Sequence, residues 1–243
     1  MKGTVAFTSL GCDKNRVDSE VMLGILAQNG FQTIADEAEA DIIVINTCCF
    51  IKDALDESIE TILEMAEYKK TGKCKGLIVA GCLGQRYEKE FFDELPEVDA
   101  VIGTAAYESV AEVAADILKG KMGEKYLEDI DRPMEDTNGK LRILSTAPYF
   151  AYLKISEGCD NHCTYCVIPK LRGKHRSRTM ESLVEEARYW RIMVWRNWSL
   201  LHRIPPFMAE IYMVSPNFMT CWRNYQRLMV LNGFVCYTVI QKR

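Results

Sequence analysis

Short apolar runs alternate with amphipathic stretches through the first half of the chain. VAFTSLGC forms a strand-like run, followed by a helical pattern around 19–29 that stops at Gly30. ADIIVINTC is a second, stronger strand, with a helix over about 53–68 behind it. KGLIVAGC is a third, followed by a helix near 85–95, the short strand DAVIG, and a helix over about 106–118. Strands of continuous β-branched and apolar residues separated by helices imply a parallel sheet covered on both faces. Residues 120–145 are polar and read as a linker with a short strand or two, after which PYFAYLKISEGC restarts the pattern with a strand that ends in cysteine. The expected fold class is α/β.

Composition changes the picture at one point. The chain has 243 residues, enough for a proper core, and its 48% hydrophobic and 26% charged residues exclude wholesale disorder. No apolar run reaches bilayer-spanning length, and MKGTVAFTSLGC lacks the layout of a secretory signal, so a cytoplasmic location with no membrane contact is expected. The net charge of −4 offers no chain-wide basic field, but it conceals a seam at Trp190. After that residue stand seven Lys or Arg and a single acid, Glu210, and all four tryptophans lie at or beyond the seam. A basic aromatic tail suits nucleic acid, through phosphate neutralisation and base stacking. A membrane-surface helix is disfavoured by Pro205 and Pro206 and by the lack of a clean apolar stripe.

Ten cysteines in a chain with no export signal read as metal ligands before disulfides. Cys12, Cys48 and Cys82 each stand just past the carboxyl end of an expected strand. In an open parallel sheet those ends share one edge, where ligands bind. Three thiols without a fourth ligand suit an iron–sulfur cluster with one open iron better than closed structural zinc. Cys49 and Cys74 lack that placement and read as bystanders. A second set is sharper: SEGCDNHCTYC puts Cys159, Cys163 and Cys166 at CxxxCxxC spacing on a loop directly after a strand. Three thiolates from one loop can hold three irons of a four-iron cluster and leave the fourth free to chelate a small molecule, with Tyr165 placed to shield it. Zinc with His162 or His175 as fourth ligand is the alternative, although its usual spacing is paired CxxC or CxxC with HxxxH.

The CxxxCxxC loop after a strand resembles the radical S-adenosylmethionine signature. Together with GCDKNRVDSE, INTCCFI, VAGCLGQRY and SEGCDNHCTYCVIPKLRGKHRSR, it resembles the methylthiotransferase family over about residues 3–190. Within that family, GCDKNRVDSE and IPKLRGKHRSR look like the RimO branch, which modifies an aspartate of small-ribosomal-subunit protein twelve. The sister branch, acting on a tRNA adenosine, more often reads GCQMN at the first motif.

The resemblance implies two 4Fe-4S clusters, one on Cys12, Cys48 and Cys82 and one on Cys159, Cys163 and Cys166, the latter binding S-adenosylmethionine and generating a 5′-deoxyadenosyl radical. The first would carry or donate the sulfur, and a second S-adenosylmethionine would supply the methyl group. An electron donor such as flavodoxin or ferredoxin is implied as a partner. The basic run Lys170–Arg178 would steer an anionic partner or form a solvated loop. The expected layout is an α/β domain over 1–120, a linker over 121–147, the start of a radical-SAM (β/α) barrel over 148–190, and a tail without a defined domain over 191–243. A non-catalytic metal-binding remnant that uses the tail for nucleic acid is the rival from another class.

The family continues past residue 190 with most of a barrel and then a small β-barrel, neither of which is recognisable here. A frameshift accounts for this. Codons TAT TGG CGG ATA encode Tyr189-Trp190-Arg191-Ile192. One restored T gives Tyr-Leu-Ala-Asp, and with suitable choices among degenerate codons the restored frame can read LADNGVEELVVIAQDTTFYGRDIYGE, which looks like the family's next helix, strand and AQDTT motif. Some positions are forced: Met193 before Val194, Met208 before Ala209 and Met213 before Val214 each require Gly, and Asn197 before Trp198 requires Leu. The expected consequences are a barrel that cannot close, a poorly packed, aggregating tail, and little or no activity in the chain as written.

Overall fold

The computed structural model describes residues 2–88, 90–133, 141–146, 150–179, 181–183, 185–186 and 189, with two further strands at 197–202 and 234–238. Residues 134–140 of the expected linker, and most of the tail, lie outside this set. The chain divides into two compact units, Met1–Arg132 with Leu141–Ile143, and Pro133–Lys140 with Leu144–Arg243.

The first unit is a six-stranded sheet in the order β2-β1-β3-β4-β5-β6, parallel throughout. Its strands are β1 (Gly3–Ser9), β2 (Phe31–Thr33), β3 (Ile42–Thr47), β4 (Gly76–Gly81), β5 (Ala100–Ile102) and β6 (Glu124–Tyr126). Every residue of β3 and β4 is buried, as the unbroken apolar runs IIVINT and GLIVAG require of strands covered on both faces. Helices α1 (Asp13–Gln28) and α6 (Val110–Leu118) cover one face, where Met22, Leu26, Val113 and Ile117 pack on Val5, Ile42, Val44 and Ile78. Helix α2 (Lys52–Ala66) packs on β3 and β4 with Ile62 and Met65 buried. Burying each such side chain stabilises the fold by roughly 1.5–3 kcal/mol. The short helices α3 (Tyr68–Thr71), α4 (Cys82–Arg86) and α5 (Phe91–Glu94) complete the crossovers.

Three details depart from the pattern along the chain. Helix α1 begins at Asp13 rather than near Ser19, because its first turns, DKNRVD, bury polar residues and carry no apolar stripe. Strand β2 buries only Phe31 and β6 leaves Glu124 and Lys125 exposed, so neither edge strand announces itself by hydrophobicity. The segment 141–143, expected as linker, belongs to the first unit: Ile143 N–H donates to the Glu20 carbonyl, and the Arg142 guanidinium meets the Glu20 carboxylate at 2.7 Å.

In the second unit, β7 (Phe150–Lys154) leads into β8 (Ser156–Glu157), which pairs antiparallel with β9 (Arg176–Ser177) across α7 (Ile168–Arg172). Beside β7 lie β10 (Asn197–His202) and β11 (Phe234–Thr238), parallel, in the order β11-β10-β7. The expected start of a barrel thus has two parallel partners drawn from beyond the seam, where NWSLLH and FVCYT are rich in aromatic and apolar strand formers.

Candidate functional site

Strand order fixes where a ligand can sit. The chain leaves β1 for the edge strand β2, then returns to the other side of β1 with β3, so the order reverses between β1 and β3. At such a reversal the connections diverge to opposite faces and open a crevice at the carboxyl ends of the strands. Register brings Ser9 opposite Asn46 and Thr47 opposite Gly81, so β1, β3 and β4 all end at that edge. Cys12, Cys48 and Cys82 follow those three ends, as the sequence predicts.

Glycines bring the exits close. Gly11 has φ +86°, and a Cβ there would stand 2.4 Å from the Cys48 Cβ. Gly81 has φ +93°, and its Cβ would stand 2.3 Å from the Asn46 Oδ1. A side chain at either position would push the cysteine-bearing loops apart. Cys12 caps α1 and is exposed, whereas Cys48 and Cys82 are buried. The amino-terminal end of α1 presents its partial positive charge at this edge. The three thiols share the edge without being gathered: no group of three or more His, Cys, Asp or Glu among the described residues is disposed to hold a metal ion. The donor set itself, three soft thiols with no histidine, is of a type that would suit an iron–sulfur cluster.

The neighbouring cysteines behave differently. Cys49 is buried, its thiol donates to the Cys82 carbonyl at 3.2 Å, and burial pushes it up to about 11, against the opposing pull of Arg86. Cys74 precedes β4 at the opposite edge of the sheet, donates to the Gly76 carbonyl at 3.3 Å, and is also raised by burial. Cys74 is thus remote from the other three, whereas the Cys49 thiol lies at their edge of the sheet, turned onto the Cys82 backbone.

A polar network underlies the edge. Asn15, fully buried, donates through Nδ2 to the carbonyls of Leu10 at 3.2 Å and Thr47 at 2.7 Å. Asn46 donates to the Asn15 carbonyl and to Ser19 Oγ, while Ser58 Oγ donates to the Cys48 carbonyl. The sequence motif GCDKN contains Asn15, but nothing in its pattern marks the asparagine as buried.

In the second unit the CxxxCxxC loop runs between β8 and α7, with Cys159, Cys163 and Cys166 all partly exposed. Cys159 N–H donates to the Gly173 carbonyl and Cys166 N–H to the Cys163 carbonyl, each at 3.0 Å. His175 N–H donates to Asp160 Oδ1 at 2.9 Å. Gly158 has φ +75°, and a Cβ there would lie 1.9 Å from the Lys174 carbonyl oxygen, so only glycine lets the loop close on α7's far end. Tyr165 is 72% exposed and His162 is exposed.

Beneath the loop lies a buried charge cluster invisible to motif reading. The Glu157 carboxylate accepts from Gly158 N–H at 3.2 Å, from Arg172 Nη1 at 2.9 Å and from Lys154 Nζ at 3.3 Å. Arg178 pairs with Glu186 and donates to Ser182 Oγ at 2.6 Å and the Lys154 carbonyl at 3.2 Å. Arg176 Nη2 donates to the Arg172 carbonyl at 3.0 Å, so three of the five cations in the run Lys170–Arg178 are built into the unit and the expected steering patch shrinks to Lys170 and Lys174. The signal for Glu157 and Lys154 was their presence as charges inside an otherwise apolar strand, YLKISE.

Residues 4–103 match the model of a family described as Uncharacterized protein family UPF0004. The chain is 58% identical over 186 residues to the ribosomal protein uS12 methylthiotransferase RimO of Lachnoclostridium phytofermentans, covering 76% of this chain and 41% of that protein. The chain resembles the RimO-type methylthiotransferases. RimO of Trichlorobacter lovleyi is 53% identical over 186 residues and that of Clostridioides difficile 49% over 184, each match again covering 76% of this chain and 41% of the relative. The chain thus spans about two fifths of the length of the RimO relatives it matches. Among solved structures, it shares its fold with the radical S-adenosylmethionine methyltransferase TsrM of Kitasatospora setae, described with cobalamin and a 4Fe-4S cluster bound, at TM-score 0.60 and 12% identity, covering 96% of this chain and 53% of that one. The cobalamin-dependent radical enzyme OxsB is similar at TM-score 0.51 and 13% identity, covering 96% and 38%. These likenesses to solved structures support an α/β fold.

Proposed function

We propose that this chain carries the iron–sulfur machinery of a radical S-adenosylmethionine methylthiotransferase, with an aspartate of ribosomal protein uS12 as the intended substrate. The observation that carries the reading is two separate sets of three cysteines, each delivered by the carboxyl ends of parallel or restarting strands, in a chain similar to RimO proteins. Cys12, Cys48 and Cys82 would hold one 4Fe-4S cluster, and Cys159, Cys163 and Cys166 the other. When bound, the clusters and S-adenosylmethionine supply the one-electron chemistry that activates an unreactive carbon and the sulfur and methyl group it receives.

The protein's contribution is positional. Glu157 neutralises Arg172 and Lys154 out of water and, through Gly158 N–H, holds the turn that launches Cys159. The hydrogen bond from Cys159 N–H to Gly173 and that from His175 N–H to Asp160 pin the start of the loop, and Cys166 N–H to the Cys163 carbonyl tightens its far end, so the thiols meet a ligand with little loss of loop entropy. At the other site the glycine exits and Asn15 hold three loops against one another. The reading carries with it a cytoplasmic location beside the ribosome and a small redox protein as electron donor; separately, no helix among the described residues is long and apolar enough to cross a membrane. For residues beyond 190 the frameshift is proposed on codon arithmetic, with little turnover by the chain as written. Gene sequencing tests the first, and modification of uS12 by the purified, reconstituted chain would refute the second.

The deciding measurement is iron and acid-labile sulfide per chain after anaerobic reconstitution, on wild type and on a Cys159→Ala/Cys163→Ala/Cys166→Ala variant. About eight irons falling to about four supports two clusters. Zinc in place of iron overturns the enzyme reading. Methylthiolation of uS12 rather than of tRNA by the matching full-length gene product separates the two branches.

A further inference from the structure

We infer that Asn15 is the positioning residue that sets the spacing of Cys12, Cys48 and Cys82. The inference rests on reading those cysteines as a ligand set and adds what holds them in register. Asn15 stands in the first turn of α1, three residues after Cys12, with no exposed surface. Its side chain reaches all three cysteine-bearing exits. One amide nitrogen donates to the Leu10 carbonyl, two residues before Cys12, and to the Thr47 carbonyl, next to Cys48. Its Oδ1 faces the Cys82 thiol at 3.9 Å. The backbone of Asn15 is held in turn, its carbonyl accepting from Asn46 Nδ2 at 2.8 Å and Ser19 Oγ at 2.9 Å.

The chemistry of the amide explains why this residue type is needed. Two carbonyl oxygens on adjacent loops must be met by donors, and in the metal-free chain the amide oxygen also accepts from the Cys82 thiol. Asparagine supplies both functions in one planar group. Aspartate has the same shape but only acceptors, so at this position it would set a carboxylate against two carbonyl oxygens. Alanine removes the bridge and leaves the buried Thr47 carbonyl and the partly buried Leu10 carbonyl to find other partners. In either variant the strands still pair, because their ladder hydrogen bonds do not involve Asn15, but the three exits lose their common tie. Outer partners of this kind typically set metal affinity by roughly 10- to 100-fold without touching the metal.

The test uses the full chain in the Cys159→Ala/Cys163→Ala/Cys166→Ala background, with Cd²⁺ as probe and thiolate–cadmium absorbance as readout. A further Cys48→Ser variant identifies the signal belonging to the edge. Asn15→Ala and Asn15→Asp are each expected to weaken that binding roughly 10- to 100-fold, with Asn15→Ser, which keeps one donor, in between. Cys74, at the opposite end of β4, reports the sheet: its protection from alkylation is expected to stay at the parent level in all three variants. Unchanged cadmium affinity in Asn15→Ala with Cys74 protected overturns the inference. Loss of Cys74 protection in step with affinity, in all three variants, also overturns it, since Asn15 would then serve the fold as a whole. A parent chain that binds neither cadmium nor iron at Cys48 instead removes the ligand set itself, an outcome distinct from both.

Discussion

Replacing Arg142 by alanine should loosen the whole first unit, although the residue lies beyond its last strand. Glu20 and Arg142 meet at 2.7 Å with side-chain exposures of 0% and 1%, and a second hydrogen bond runs from Arg142 Nε at 3.2 Å. The segment lies flat on α1: a Cβ added at Gly24 would come within 1.6 Å of the Leu141 carbonyl oxygen. Removing one member of a buried pair leaves the other's charge in a medium that cannot solvate it, a cost of roughly 3–5 kcal/mol. With a tenfold population change per about 1.4 kcal/mol, transient opening of the unit should rise roughly a hundredfold to several thousandfold. Cys49 and Cys74 read this opening, being buried in the first unit at 1% and 6% exposure. Their alkylation under native conditions, resolved by mass spectrometry, should accelerate by that factor in Arg142→Ala. The double variant Glu20→Gln/Arg142→Met removes both charges and should recover most of the loss. An increase below about tenfold in the single variant, or no recovery in the double, would refute the reasoning.

Three further outcomes are expected. Gly11→Ala places a methyl against Cys48 in a left-handed backbone conformation costing about 1–2 kcal/mol before any clash, so iron retained at the first cysteine set should fall while Cys159, Cys163 and Cys166 keep theirs; equal loss at both sets counts against the close-approach argument. Glu157→Gln removes the buried carboxylate that Arg172 and Lys154 share, which should cost up to roughly 3–5 kcal/mol and lower iron at the CxxxCxxC loop; full iron and an unchanged melting temperature would show that the loop needs no clamp. The Cys49 thiol is raised by burial from 9.0 to about 11, so folding favours its neutral form. Its contribution is fully present below about pH 9 and declines as pH rises toward 11, and urea midpoints at pH 8, 9, 10 and 11 should fall over that window rather than below it.

Much of this molecule is written locally. The runs in β1, β3 and β4 are apolar enough to require two covering layers, and with helices between them they can only form a parallel sheet. Once that is granted, Cys12, Cys48 and Cys82 must fall at one edge, because parallel strands end together. The CxxxCxxC spacing likewise confines three thiols to one loop whatever surrounds it. Other features depend on partners distant in the chain. Phe31–Thr33 and Glu124–Tyr126 become strands because β1 and β5 offer unpaired backbone at their sides, and that pairing sets the order reversal between β1 and β3. Arg142 reads as linker until a carboxylate 122 residues away buries it. Asn15 and Glu157 look like surface residues by type, and only the assembled packing, which removes water and leaves carbonyls and cations needing partners, turns them into the ties beneath the two cysteine sets.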